Sequence, residues 1–152
     1  MADNETYDIN QRLALVCVDH PERQGLTLAA LQDLGYRAQV AASALDTIER
    51  LRKSAYEVVI VDSEFKGATA HDNPVLKAIQ AMPMSARRYI FVGLIGTTFN
   101  TFDNMSAFGE SVNLVVHVKD LGQLKAILQR AIEDNDLFYR VFRQVLQEAG
   151  RR

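Results

Sequence analysis

The sequence contains a single cysteine, Cys17, and therefore lacks the pair that an internal disulfide needs. One cysteine cannot build a metal site alone, and such a chain suits a reducing compartment. The polar, acidic N-terminus is unlike a secretory signal, and the apolar runs are far shorter than a membrane span. These absences predict a cytoplasmic protein without membrane insertion.

A large excess of charge of either sign is also absent. The net charge is -2 at pH 7, which gives no reason to expect nucleic-acid binding through this domain. We find no internal repeat, no low-complexity linker and no phosphate-cradling glycine loop after the first apolar run. With 152 residues, 48% of them hydrophobic, the chain can bury a core as one globular domain.

Short apolar runs alternate with segments of helical periodicity along the chain. The runs predict five β-strands, at residues 13–18, 36–41, 58–61, 89–95 and 114–118. A predicted helical stretch follows each strand, and this alternation is typical of parallel βαβ units with right-handed crossovers. The sequence therefore predicts a doubly wound α/β fold with a parallel five-stranded sheet in the order 2-1-3-4-5.

Three of the predicted strands end on charged residues. The run 58–61 ends on Asp62, the first run is followed by Asp19, and the fifth is followed by Lys119. In open α/β sheets ligands bind at the carboxyl ends of the strands, near the point where the strand order reverses. Asp19 and Asp62 are therefore predicted to meet there with Lys119 beside them, although an acid in such a position also serves as a simple cap.

In the spacing of Asp19, Asp62 and Lys119 the chain resembles the receiver domains of two-component response regulators. The resemblance implies a flavodoxin-like signalling domain of a phosphorelay that is not an enzyme. It implies that Asp62 is the phosphoacceptor and that Lys119 pairs with the phosphoryl group. Thr97 falls at the position of the switch hydroxyl, or Gly96 does if that loop is aligned one residue earlier.

The chain departs from the receiver pattern where a metal ion would bind. His20 stands where the family has a second acid beside Asp19, and neutral imidazole is a poor ligand for Mg²⁺. Asp120 follows Lys119, where the family usually has proline. Attack of a carboxylate on a phosphoryl group requires a cation to neutralise the gathered negative charge. The expected Mg²⁺ site is weak or absent, and its candidate ligands are Asp19, Asp62 and Glu64.

Two functions therefore remain open from the sequence. The first is a degenerate receiver that keeps the fold and acts by protein–protein contacts, which the substitution at His20 favours. The alternative is a fully phosphorylatable single-domain response regulator that accepts phosphate on Asp62 from a histidine kinase. In both cases the partner is a protein, either a histidine kinase or a downstream target. A small flavodoxin-like enzyme is a more distant third interpretation.

The predicted C-terminal helix is longer than the fold requires. Its apolar residues recur at intervals of three and four, as in a heptad seam. We therefore divide the chain into a flexible lead-in (1–11), a receiver-like domain (12–134) and a helical extension (135–152). The extension either folds back on its own domain or pairs with a second subunit, and the pattern favours a homodimer. The predicted dimer face consists of Phe138, Val141, Phe142 and Val145.

Overall fold

A computed structural model describes residues 12–69 and 72–150, so the predicted lead-in lies outside the described residues. The strands are β1 (Arg12–Cys17), β2 (Tyr36–Val40), β3 (Val58–Asp62), β4 (Phe91–Gly96) and β5 (Leu114–His117). The helices are α1 (Pro21–Asp33), α2 (Ala44–Lys53), α3 (Pro74–Gln80), α4 (Met84–Arg87), α5 (Asn104–Glu110) and α6 (Leu124–Gly150).

The five strands form one parallel sheet in the order β2-β1-β3-β4-β5, which confirms the predicted doubly wound topology. All five residues of β3 are buried, as expected for a run of valine and isoleucine that helices cover on both faces. The register pairs Cys17 with Val61 and Asp62 with Ile95. The residues that follow β1, β3 and β4 therefore meet at one edge, the carboxyl edge of the sheet.

Helices pack on both faces of the sheet. On one face α1 and α6 contribute Leu31, Leu124 and Leu128, which are completely or almost completely buried. On the other face α3 contributes Val75 and Ile79, with further apolar residues from α2 and α5. Each large apolar side chain buried in this way contributes about 1.5–3 kcal/mol to the stability of the fold.

The predicted long C-terminal helix is confirmed. A 3₁₀ turn over Val118–Gln123 leads into α6, which continues without a break for 27 residues. The first turns of α6 pack on the core, whereas every residue after Tyr139 up to Gly150 is exposed. Within the described part of the chain, no helix combines the length and apolar character that crossing a membrane demands.

The segment before β4 differs from the sequence prediction. The strand begins at Phe91 and not at residue 89, because the preceding residues form the short helix α4 after Pro83. Arg87 stabilises this arrangement by donating a hydrogen bond from Nη1 to the carbonyl oxygen of Ile90 at 2.7 Å. Tyr89 is consequently left 70% exposed.

Candidate functional site

Asp62 ends β3 and is almost completely buried, with 1% of its surface exposed. Its Oδ1 accepts a hydrogen bond from the backbone N–H of Glu64 at 3.0 Å, and its Oδ2 accepts one from Nη1 of Arg23 at 3.0 Å. Asn73 Nδ2 donates to the carbonyl oxygens of Asp62 and Ser63, which fixes the end of the strand. A buried carboxylate requires such partners, because burial without them carries a large energetic cost.

Arg23 reaches this carboxylate from the first turn of α1. Pro21 occupies the beginning of the helix, and His20 caps it by accepting a hydrogen bond on Nδ1 from the Arg23 backbone N–H at 3.5 Å. The same Nη1 atom of Arg23 lies 3.0 Å from Asp62 Oδ2 and 3.0 Å from Glu64 Oε1. Hydrogen bonds to Glu64 and then Asp62 raise the pKa of the Arg23 guanidinium, so this side chain is a permanent cation between two carboxylates.

Asp19 follows β1 on the same edge and contacts the loop that follows β3. Its Oδ2 accepts a hydrogen bond from the backbone N–H of Lys66 at 3.3 Å. Lys66 lies in the 3₁₀ turn Phe65–Gly67 with a left-handed φ of 54°. Among the described residues the ion-pair partners of Arg23 are Asp62 and Glu64, and Asp19 is not one of them. The loop after β3 thus closes over Asp19 through its backbone.

Lys119 is exposed beyond the end of β5. Its backbone N–H donates to Nδ1 of His117 at 3.0 Å, and its ammonium group forms no ion pair with any residue in 12–69 or 72–150. The structure therefore brings Asp62 and Glu64 together around Arg23 and leaves Lys119 apart from them. The counter-ion of Asp62 is therefore Arg23 on α1 and not Lys119 after β5.

The end of β4 consists of Gly96, which is buried, followed by Thr97, which is exposed. A Cβ atom on Gly96 would lie 2.7 Å from Ser63 Oγ and 2.9 Å from Phe99 Cζ. A side chain here would force Ser63 or Phe99 to move, so the close approach of these two side chains favours glycine at this position. Within residues 12–69 and 72–150, the hydrogen bonds to the Asp62 carboxylate come from Arg23 and Glu64, and none comes from Thr97.

Thr101, in the loop after β4, forms two hydrogen bonds with residues of the chain around the end of β5. Its Oγ1 accepts a hydrogen bond from the His117 backbone N–H at 2.9 Å and donates to Oδ2 of Asp120 at 2.5 Å. These bonds connect the loop after β4 to the segment after β5. Asp120 is thus part of a hydrogen-bonded bridge between the two loops.

Sequence reasoning missed Arg23 and Thr101. The signal for Arg23 was its charge, since it lies four residues after Asp19 at the start of a predicted helix on the same edge. Thr101 carried no comparable signal. The two histidines near the edge, His20 and His117, each accept a backbone hydrogen bond on Nδ1, so each has a structural partner.

The acidic residues of this edge do not fit a divalent cation in their present arrangement. Magnesium needs several oxygen ligands at nearly octahedral positions. Among the described acidic residues of this edge, Asp62 and Glu64 both contact Nη1 of Arg23, so a guanidinium group lies between them. Within residues 12–69 and 72–150, no three acidic, histidine or cysteine side chains converge as a metal site would require.

No family model and no curated protein matches the chain. The receiver domain of the sensor histidine kinase PA1611 from Pseudomonas aeruginosa, crystallised with magnesium in its active site cleft, is similar in structure. It is 19% identical with a TM-score of 0.62, over 81% of this chain and 98% of that chain. The chemotaxis response regulator CheY4 of Vibrio cholerae is 21% identical with a TM-score of 0.56, over 80% and 98%.

A response regulator from Hahella chejuensis is also similar, at 14% identity and a TM-score of 0.57 over 83% of this chain and 93% of that one. Each of these structures is covered almost completely by the present chain. The chain therefore has the fold of response-regulator receiver domains, with a long C-terminal helix added.

Proposed function

We propose that this chain is a degenerate receiver that works in two-component signalling by protein–protein contacts and catalyses no reaction. The observation that supports the proposal is the ion pair between Arg23 and Asp62. A phosphoacceptor needs a carboxylate oxygen free to attack and a divalent cation beside it. Here one oxygen of Asp62 binds a guanidinium and the other binds a backbone amide, so the carboxylate acts as a structural anchor.

The phosphorylatable alternative has one observation in its favour. Asp62 ends the central strand at the carboxyl edge of the sheet, with Asp19 on the same edge, as a phosphoacceptor site requires. In that case Arg23 would have to leave Asp62 before a cation and a phosphoryl group could approach. A histidine kinase would then be the donor, and the bridge from Thr101 to Asp120 would be placed to respond.

We further infer that α6 pairs with α6 of a second copy. Phe138, Val141, Phe142 and Val145 remain 63%, 50%, 43% and 58% exposed. The rings of Phe138 and Phe142 stack with their centroids 6.3 Å apart. Exposed apolar faces of this kind typically mark association sites. A cytoplasmic homodimer that presents two receiver folds to a protein partner is the assembly we propose.

Titration with beryllofluoride and Mg²⁺ tests the proposal, because this complex mimics an acyl phosphate on the acceptor. We expect no saturable change in the melting temperature of the wild type at millimolar Mg²⁺. The matched control is Asp62→Asn, which lacks the acceptor carboxylate. A saturable rise in the wild type that is lost in Asp62→Asn would overturn the degenerate receiver in favour of the phosphorylatable one.

A further inference from the structure

A cleft opens at the amino ends of the strands, at the opposite edge of the sheet from Asp62. Its volume is about 380 Å³, within the range of roughly 300–1,000 Å³ that small-molecule sites occupy. Tyr36 and Phe91, both buried, come from the beginnings of β2 and β4. The exposed half of α6 forms a wall of the cleft with Tyr139 and Arg143. None of these residues belongs to the site around Asp62.

Among the described residues that line this cleft, arginines outnumber acidic residues. The acidic residues there are Glu57 and Asp136, and Glu57 is already paired with Arg12 at 3.0 Å. The other arginines of the lining are Arg88, Arg140 and Arg143. Their guanidinium groups form no ion pair with any described residue. The planar fork of an unpaired guanidinium matches the oxygens of a phosphate group.

A further cation, which has no carboxylate partner within residues 12–69 and 72–150, is hydrogen-bonded to Ile90 of the cleft lining. Arg87 is half-buried and donates to the carbonyl oxygens of Ile90 and Ser111 and to Oδ1 of Asn113. Burial lowers the pKa of Arg87, which also interacts electrostatically with Tyr139 of the cleft wall. An anion in the cleft would therefore be stabilised by the field of Arg87 as well as by direct contacts.

Aromatic rings line the cleft together with the arginines. Tyr36, Tyr89, Phe91, Tyr139 and Phe142 all contribute to its surface. Faces of aromatic side chains and of arginine attract planar rings by stacking and cation–π contacts. The Tyr36 ring already lies 4.5 Å beneath the Arg12 guanidinium. The lining thus combines anion recognition with surfaces suited to a flat, conjugated group.

We propose that this cleft binds a nucleoside monophosphate or a molecule of the same chemistry. Such a molecule has a planar ring and a phosphate group, separated by the distance found in a nucleotide. The phosphate contacts Arg140 and Arg143, and the ring packs among the tyrosines. Occupation of the cleft would tie the exposed half of α6 to the beginning of β4. The inference does not depend on the state of Asp62, so its failure would leave the proposed function untouched.

The test is an amide NMR titration of the full chain with AMP, adenosine and inorganic phosphate, each to millimolar concentration. We expect saturable shifts with AMP in the amides around Phe91 and in α6 between residues 132 and 146. Phosphate should bind the same amides at least about tenfold more weakly, because it makes no ring contacts. Adenosine should cause no saturable shift there, because it has no anionic group.

One double variant and a control complete the experiment. Arg140→Gln with Arg143→Gln should weaken AMP binding by about tenfold or more, since each loses a charge-assisted hydrogen bond. The matched control is Arg52→Gln on α2, which removes an exposed cation distant from the cleft and should leave binding unchanged. The proposal is overturned if AMP shifts only residues near Asp62, shifts none saturably, or binds the double variant as tightly as the wild type.

Discussion

Arg23 and Asp62 form an ion pair whose two sides differ in their access to water. The side chain of Asp62 is 2% exposed and that of Arg23 is 18% exposed. Taking charges out of water is costly, so a buried pair contributes little net stability, yet removing one partner leaves the other uncompensated. The net contribution of the pair is therefore small, whereas the loss of one partner is costly. Replacement of either residue measures how much the other depends on it.

Replacement of Asp62 by asparagine should lower the free energy of unfolding by about 1–3 kcal/mol. Asparagine keeps the size of the side chain but provides no negative charge for Arg23, which would retain only Glu64 as a carboxylate partner. Equilibrium unfolding in urea measures the change. The control is Asp72→Asn, since Asp72 pairs with Lys77 at a site where the side chains are 77% and 65% exposed.

Such an exposed pair contributes about 0–1 kcal/mol. The control variant should therefore unfold at nearly the wild-type urea concentration. Equal stability losses in Asp62→Asn and Asp72→Asn would contradict the importance of the buried pair.

Cys17 should be inert in the folded protein. Burial raises the pKa of its thiol from 9.0 to about 12, although a hydrogen-bond contact with Thr47 at 3.4 Å opposes the shift. Because the thiolate is the reactive form, iodoacetamide at pH 8 should modify the unfolded chain and not the native one. Mass spectrometry of the reacted protein, with and without urea, checks this directly. Rapid modification of the native protein would contradict the burial of Cys17.

The same shift predicts a dependence of stability on pH. The folded state keeps a proton that the unfolded chain releases, so this contribution is complete below pH 9.0 and is lost as the pH rises towards about 12. The decline in unfolding free energy over that interval should be smaller in Cys17→Ala, which has no thiol. Other groups titrate in this interval, so the difference between the wild type and Cys17→Ala is the informative quantity. An identical decline in both proteins would contradict the shift.

The helix α6 consists of two parts with different sources of stability. Its first turns pack Leu124, Ile127 and Leu128 into the core. The second part has no sheet to cover, and isolated helical segments of that length are only marginally stable in water. Its apolar stripe, which includes Phe138 and Phe142, therefore needs either a partner helix or support from the adjacent cleft.

Sedimentation of the full chain and of a chain truncated after Asp134 tests the proposed dimer. We expect the full chain to be dimeric and the truncated chain to be a folded monomer, because truncation removes the stripe and retains the core. Circular dichroism verifies that the truncated chain is folded. A monomeric full chain, or a dimer that survives truncation, would contradict pairing through α6.

Two point variants make the same test without shortening the chain. Val141→Glu places a carboxylate in the apolar stripe, and Gln144→Glu places one on an exposed face beside it. The first should dissociate the dimer, whereas the second should leave it intact. Similar dissociation in both would indicate a general effect of charge and not a defined interface.

Across the whole chain, the sequence predicts backbone arrangement better than side-chain direction. The pattern of buried runs leads to the strand order and places Asp19 and Asp62 on one edge, because burial and strand ends depend on local composition. The interaction of Arg23 with Asp62 depends on a rotamer and on the angle at which α1 leaves β1. Periodicity contains no information on either, and so the sequence placed Lys119 beside Asp62 and did not predict the contact with Arg23.

For α6 as well, the sequence predicts the backbone arrangement but not the contacts made by the side chains. The absence of helix breakers before Gly150 is sufficient to predict one continuous helix. The cleft beside it was not predicted, because it joins Tyr36 and Phe91 from the sheet to residues more than 40 positions later in the chain. Such a site exists only once the helix has been placed against the strand ends.

Binding of Mg²⁺ to the wild type and to Arg23→Gln measures whether Arg23 occupies the place of a cation at Asp62. Glutamine can still donate a hydrogen bond to Asp62, but it leaves the carboxylates of Asp62 and Glu64 without a counter-ion. The amide shifts of Glu64 and of its neighbours report binding at constant ionic strength, and Arg52→Gln controls for the change in net charge. We expect Arg23→Gln to bind Mg²⁺ at least about tenfold more tightly than the wild type and Arg52→Gln. Wild-type affinity equal to or greater than that of Arg23→Gln would contradict the replacement of the metal by Arg23.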